Sequence, residues 1–326
     1  MRIVFCGTSA FAVPSLLALR QSRHEIVLCV TQPERPQGRG LHPAPSPVEQ
    51  AARAQGLPIF QPDDPSTPES VRRIGSAGAD LLVVIAYGCI LRRPLLEATA
   101  QGAISLHPSL LPRHRGAAPI AWALINGDAT TGLSIFRLTE RVDDGDLLIQ
   151  EELAIHPDET AVELSARLAA RGATLVVESI DLMAVGRVSY RPQSSAHGSY
   201  ARKLTKADGR IDWCHPAPAI HHLVRGTQPW PGAQTAWQGR LLVLWRTRLP
   251  ARGGLPRQAG VGPAATAKAA PGTIVQAAPD GVVVVAGAGT QLIIKEIQAA
   301  GSRRMSVADF LRGHRLRPGD HFGTSH

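Results

Sequence analysis

Two segments hold side chains able to move a proton near neutral pH. His107 closes the apolar run Gly102–His107 and is followed by a loop bounded by Pro108 and Pro112. Val142-Asp143-Asp144-Gly145-Asp146 is an acidic turn between two further apolar runs. A histidine beside a carboxylate is a usable acid/base pair, because the carboxylate orients the ring and stabilises the imidazolium. Residue type alone leaves a structural reading open. A strand-end histidine is often simply a satisfied core group, and an acidic turn is often a solvated Asx turn. The aspartates lack the D-x-D-x-D-G spacing of a calcium loop, so no metal is expected. A third segment, Arg35-Pro-Gln-Gly-Arg39-Gly40, is either an ordinary surface loop or a basic finger whose Arg35 and Arg39 meet phosphates. Gly7-Thr8-Ser9 lacks the G-x-G-x-x-G spacing of a dinucleotide site and reads as a tight strand-to-helix turn.

These groups need elements to position them. Strand signals at Arg2–Cys6, Glu25–Thr31, Asp80–Ala86, Gly102–His107, Gly132–Leu138 and Leu147–Leu153 alternate with helix signals. Ser46-Pro-Val-Glu49 and Thr160-Ala-Val-Glu163 are capping boxes that should open helices. Strands separated by helices predict an α/β fold with a doubly wound, mostly parallel sheet, in which ligands bind beyond the carboxyl ends of strands. His107 sits at such an end. Residues 189–205 are polar and aperiodic and are read as a linker between a domain at 1–188 and one at 206–326. In the second domain five short strand signals, near Ala233–Trp237, Leu241–Trp245, Gly272–Gln276, Gly281–Val285 and Gln291–Ile297, predict a small OB-like β-barrel. Pro250–Pro271, rich in Ala, Gly and Pro, is expected to be a mobile loop within it.

Charge is divided along the same line. From Lys206 onward there are 15 Lys and Arg against 6 Asp and Glu, so the whole net charge of +9 lies in the rear domain. A neutral front and a basic back point to a polyanion held by the back. Cys6, Cys29, Cys89 and Cys214 form no C-x-x-C pair and read as reduced thiols of a cytoplasmic protein. Ile3–Cys6 is too short for the apolar core of a signal peptide, and no apolar run approaches the roughly 20 residues that span a bilayer, so no membrane partner is expected.

Ser105-Leu-His107-Pro-Ser-Leu-Leu-Pro112 and Arg115-Gly-Ala-Ala-Pro-Ile120 resemble the signature of the 10-formyltetrahydrofolate-dependent formyltransferases. Phe11-Ala-Val-Pro-Ser15, Thr31-Gln-Pro33, Gly38-Arg-Gly40, Ala86-Tyr-Gly88 and Ile90-Leu91 carry the resemblance along the front domain. Gln228-Pro-Trp-Pro-Gly232, Arg304-Met305 and Asp309-Phe-Leu-Arg-Gly313 extend it through the rear domain, and place the chain nearest the branch that acts on methionyl-tRNA. The resemblance implies a Rossmann-like catalytic domain, 10-formyltetrahydrofolate as co-substrate and initiator Met-tRNA as partner, with a monomer as the working unit. It implies that Ser109, Leu110, Leu111 and Pro112 line the folate site. It further implies that His107 and Asp143 flank the transferred formyl carbon, and that Arg39 contacts the tRNA acceptor arm. Ser105 stands where that family has an asparagine that donates to the developing oxyanion. Arg141 stands where it usually has a glycine, which would strain the turn if the backbone there needs a positive φ. Three other functions fit the same motifs: a formyltransferase with a different amine acceptor, a formyl-folate hydrolase, and a tRNA-binding paralogue weakened at Ser105.

Overall fold

The computed structural model describes residues 1–37, 42–194, 196, 198–250 and 269–323. The chain divides into two compact units. Met1–Pro119, Thr130–Ala154 and Ser165–Ala201 form the first; Ile120–Ala129, Ile155–Leu164 and Arg202–His326 form the second.

The first unit is built on β1 (Arg2–Gly7), β2 (Glu25–Val30), β3 (Arg35–Gln37), β4 (His42–Ala44), β5 (Ile59–Phe60), β6 (Leu81–Ile85), β7 (Ala103–His107), β8 (Thr130–Arg137) and β9 (Leu147–Ala154). Seven of these form one sheet in the order β5-β2-β1-β6-β7-β8-β9. The strands from β5 to β7 pair in parallel, and β8 and β9 are added antiparallel. The expected doubly wound sheet is therefore present. All five residues of β6, Leu-Leu-Val-Val-Ile, are buried, as a strand covered on both faces requires. The helices of this unit are α1 (Val13–Gln21), α2 (Pro47–Ala54), α3 (Pro68–Gly75) and α4 (Arg93–Leu96); α5 (Pro119–Ile125) belongs to the second unit but for its first residue, and α6 (Ala161–Ala184) to the first from Ser165 onward. Ser46 caps α2 reciprocally with Glu49, as its sequence predicts. Thr160 and Glu163 exchange the same bonds at the start of α6. Gly172 lets α6 lie close to β7, since a Cβ there would fall 2.6 Å from Leu106 Cδ2. That contact holds the strand on which Ser105 and His107 lie.

The second unit carries α7 (Ala217–Gly226), β10 (Ala233–Trp237), β11 (Arg240–Arg248), β12 (Ile274–Ala278), β13 (Gly281–Val285), β14 (Gln291–Ala299), β15 (Met305–Ser306) and α8 (Val307–Gly313). The strands run antiparallel in the order β10-β11-β14-β13-β12, with β15 beside β14. Gln238 and Gly239, both at positive φ, make the tight turn between β10 and β11. The sheet closes through the C-terminal segment. Gly323 exchanges both backbone bonds with Ala236 of β10, while Asp320 and Gly319 bond to Ile274 of β12. The result is the small barrel expected for this domain. Trp213, Val284, Ile294, Phe310 and Phe322 fill it, and each such side chain contributes about 1.5–3 kcal/mol on burial. Most of the loop predicted at Pro250–Pro271 lies outside the described residues.

His24, His107, His221 and His222 are all held below the ordinary histidine range, chiefly because burial disfavours the charged ring; His222 is lowered to about 4. The unfolded chain binds these protons near pH 6.5 and the folded chain only lower, so stability is full above that value and is lost as the pH falls through the window. The urea midpoint is therefore expected to drop between about pH 6.5 and pH 4, and His222→Gln should make that drop shallower. A midpoint constant over this range would contradict the assignment.

Candidate active site

The site begins on β7. Successive strand residues face opposite sides, so Ser105 and His107 share one face. His107 is buried. Its Nε2 lies 2.8 Å from the carbonyl oxygen of His114. A carbonyl can only accept, so Nε2 carries the hydrogen and the lone pair of the neutral ring sits on Nδ1. Nδ1 faces Asp143 Oδ2 at 3.5 Å. Burial lowers the His107 pKa, and the Asp143 carboxylate offsets part of that effect. The ring is thus neutral at pH 7, with its basic nitrogen turned towards a carboxylate. The same Asp143 oxygen accepts from the backbone N–H of Gly116 at 2.7 Å.

Asp143 occupies a strained turn. Its φ is +48°, in the left-handed region that few L-residues adopt. Ala86, at the end of β6, and His114 are also at positive φ, so strain gathers around the pair, as it does at sites that must be held in one geometry. Arg141 is not among the positive-φ residues; the concern raised by its side chain falls away because the left-handed position is Asp143 itself. Gly145 closes the turn, and a Cβ there would lie 1.7 Å from the Arg137 carbonyl oxygen.

The polar stretch read as a linker runs along the site as far as Ala201. Arg191 exchanges backbone bonds with Leu147, and Ser199 and Ala201 bond to Pro112, Arg115 and Ala118. Gln193 Nε2 donates to the carbonyls of Asp143 at 2.9 Å and Gly145 at 2.7 Å. Its Oε1 accepts from Arg115 Nε and Nη2, and Arg115 Nη1 lies 2.6 Å from Asp144 Oδ1. Gln193 had no signal in the sequence, because a segment held by main-chain hydrogen bonds needs no apolar period.

Ser105 Oγ donates to the Val84 carbonyl at 2.7 Å. Ser109 and Leu111 are buried, with Ser109 Oγ donating to the Arg113 carbonyl and Leu111 packed against Phe136 and Leu147. Leu110 and Pro112 are half-buried, and Leu110 packs against Gly132. Val142, beside Asp143, and Ile90 are large apolar side chains left exposed. Arg35 lies in β3, and Arg39 lies outside the described residues. Among the described residues no helix is long and apolar enough to cross a membrane.

A buried, neutral histidine facing a carboxylate on a left-handed turn, at the carboxyl end of a strand in an open α/β sheet, is an arrangement that can carry a proton, as group-transfer enzymes require. The sequence agrees with that class. The formyl transferase model matches residues 1–180, and the model of the formyl transferase C-terminal domain matches residues 203–315. The chain belongs to the formyl transferase family. It is 41% identical to a methionyl-tRNA formyltransferase of Solibacter usitatus, with 100% of both chains covered. It is 43% identical to that of Heliobacterium modesticaldum, over 99% of this chain and 100% of the relative. Among solved structures, a sugar 3N-formyl transferase, WlaRD, shares the fold with a TM-score of 0.64 at 14% identity, covering 93% of this chain and 99% of that one. HypX from Aquifex aeolicus in complex with tetrahydrofolic acid matches with a TM-score of 0.61 at 14% identity, over 98% of this chain and 51% of its own.

Proposed function

We propose that this chain transfers the formyl group of 10-formyltetrahydrofolate to the α-amino group of methionine on initiator tRNA. The observation that carries the proposal is the likeness along the whole chain, rear domain included, to relatives bearing that name. In this reading the amine attacks the formyl carbon while His107 Nδ1 takes the proton it sheds. The Asp143 carboxylate stabilises the imidazolium so formed. The tetrahedral intermediate then collapses, the bond between carbon and folate nitrogen breaks, and the ring returns the proton to that nitrogen. Half-buried Leu110 and Pro112, next along the chain from His107, would offer apolar contact to the folate ring. Ser109 and Leu111 support that loop from beneath.

The tRNA would be held by the basic rear domain, with Arg35 and Arg39 reaching the acceptor arm. The enzyme would act as a monomer in the cytoplasm. Incubating the protein with the formyl donor and Met-tRNA should yield formyl-Met-tRNA, and binding should weaken steeply with salt. Release of formate without transfer would indicate a hydrolase. Formylation of a small amine in preference to the tRNA would indicate another acceptor. Tight tRNA binding without transfer would indicate a paralogue that has lost catalysis.

A further inference from the structure

Asp143 is held in place by contacts that its own turn does not supply. The turn bears three carboxylates within four residues, Asp143, Asp144 and Asp146, and their mutual repulsion favours spreading it into solvent. Asp143 also has a left-handed backbone conformation, with φ of +48°. Such a turn persists only where its surroundings over-determine it. Gln193 meets that requirement from outside the turn. One amide nitrogen bridges two carbonyls, Asp143 and Gly145, on either side of Asp144. Its amide oxygen is fixed in turn by two donors of Arg115, whose remaining nitrogen neutralises Asp144. Arg115 is followed directly by Gly116, whose N–H holds the Asp143 carboxylate. The backbone and the side chain of Asp143 are thus tied to one short segment, Arg115–Gly116, through Gln193 and directly.

Resting on the site reading above, we propose that Gln193 is a positioning residue for formyl transfer. It touches neither the reacting atoms nor His107, and it acts by clamping the strained turn so that Asp143 stays opposite His107 Nδ1. The amide is required in this role. A glutamate at 193 would keep the acceptor for Arg115 but present lone pairs to two carbonyls.

The test uses the full-length protein with Gln193→Glu, Gln193→Ala and, as reference, Asp143→Asn. Both Gln193 variants should lose about 10²-fold in kcat, as expected when a reacting group is displaced by about 1 Å. The KM values for formyl donor and Met-tRNA, and the thermal midpoint, should stay close to wild type. The His107 ring, followed by NMR with labelled histidine, should titrate at lower pH in both variants, because the carboxylate that supports its protonation has moved. Wild-type kcat in Gln193→Glu alongside an inactive Asp143→Asn would overturn the clamp while leaving the site reading intact. A lowered kcat with unchanged His107 titration would also overturn it. Near-normal turnover in Asp143→Asn would remove the site reading, and the clamp with it.

Discussion

His107→Ala and Asp143→Ala should each lower kcat/KM for formyl transfer by about 10²–10⁴, the range that positioned acid/base groups supply. The expectation follows from the division of labour between the two rings of contacts. Nε2 of His107 is spent on the His114 carbonyl, so only Nδ1 can take a proton, and Nδ1 faces Asp143. Removing the imidazole removes the base. Removing the carboxylate leaves the base in place but takes away the charge that stabilises its protonated form, in a pocket where burial already disfavours that form. The two losses therefore share a cause, and the double variant should lose little more than the worse single one, as for residues acting as a unit. Asp143→Asn can still accept from Gly116, so its geometry should survive while its rate does not. In that variant the acid limb of the kcat/KM profile should move to lower pH, because a neutral neighbour no longer raises the His107 pKa. Steady-state formylation of Met-tRNA measures all of these. Turnover near wild type in either alanine variant would refute the assignment.

Ser105→Asn should raise kcat, by up to about 10²-fold, the lower end of what one oxyanion donor contributes. Ser105 has one hydroxyl hydrogen, and it is donated to Val84 on the neighbouring strand. It is therefore not available to an oxyanion forming on the face it shares with His107. An asparagine brings two N–H donors on a longer arm, so one can reach the site. The gain should appear in kcat with KM for the donor nearly constant, because the bond forms only as charge develops on the oxygen. Ser105→Ala, by the same reasoning, should keep kcat close to wild type and lose only the bond to Val84. If Ser105→Asn brings no gain, another donor already serves the oxyanion.

Much of this was legible before any coordinates. The period and punctuation of the chain foretold the mostly parallel sheet, both capping boxes and the change to short strands after the polar stretch. Those features depend on local propensity and burial pattern, which neighbouring residues encode. The motif around His107 carried the family, which the full-length relatives establish. The loop after His107 was legible only as a motif. Ser109–Pro112 was expected to line a folate site through backbone groups and apolar side chains; which of its side chains are buried was not readable, and Ser109 and Leu111 are the buried pair, held by Arg113, Phe136 and Leu147. The loop is a bend and turn closed by the Arg113 N–H on the Leu110 carbonyl, so no local period marks which side chains face inward; that depends on strands far away in sequence.

The same limit explains the remaining differences. Residue types and their order along the chain set which residues can carry a proton, that the sheet is mostly parallel, and that the positive charge lies in the rear domain. Each is a property of residue type and near-neighbour order. The three-dimensional packing alone sets the bond of the Ser105 hydroxyl to Val84 and the return of Gln193 to the Asp143 turn. Those are pairings across 21 to 50 residues, made by single polar atoms with no periodic signature, and they exist only once the strands have brought their partners within hydrogen-bond reach.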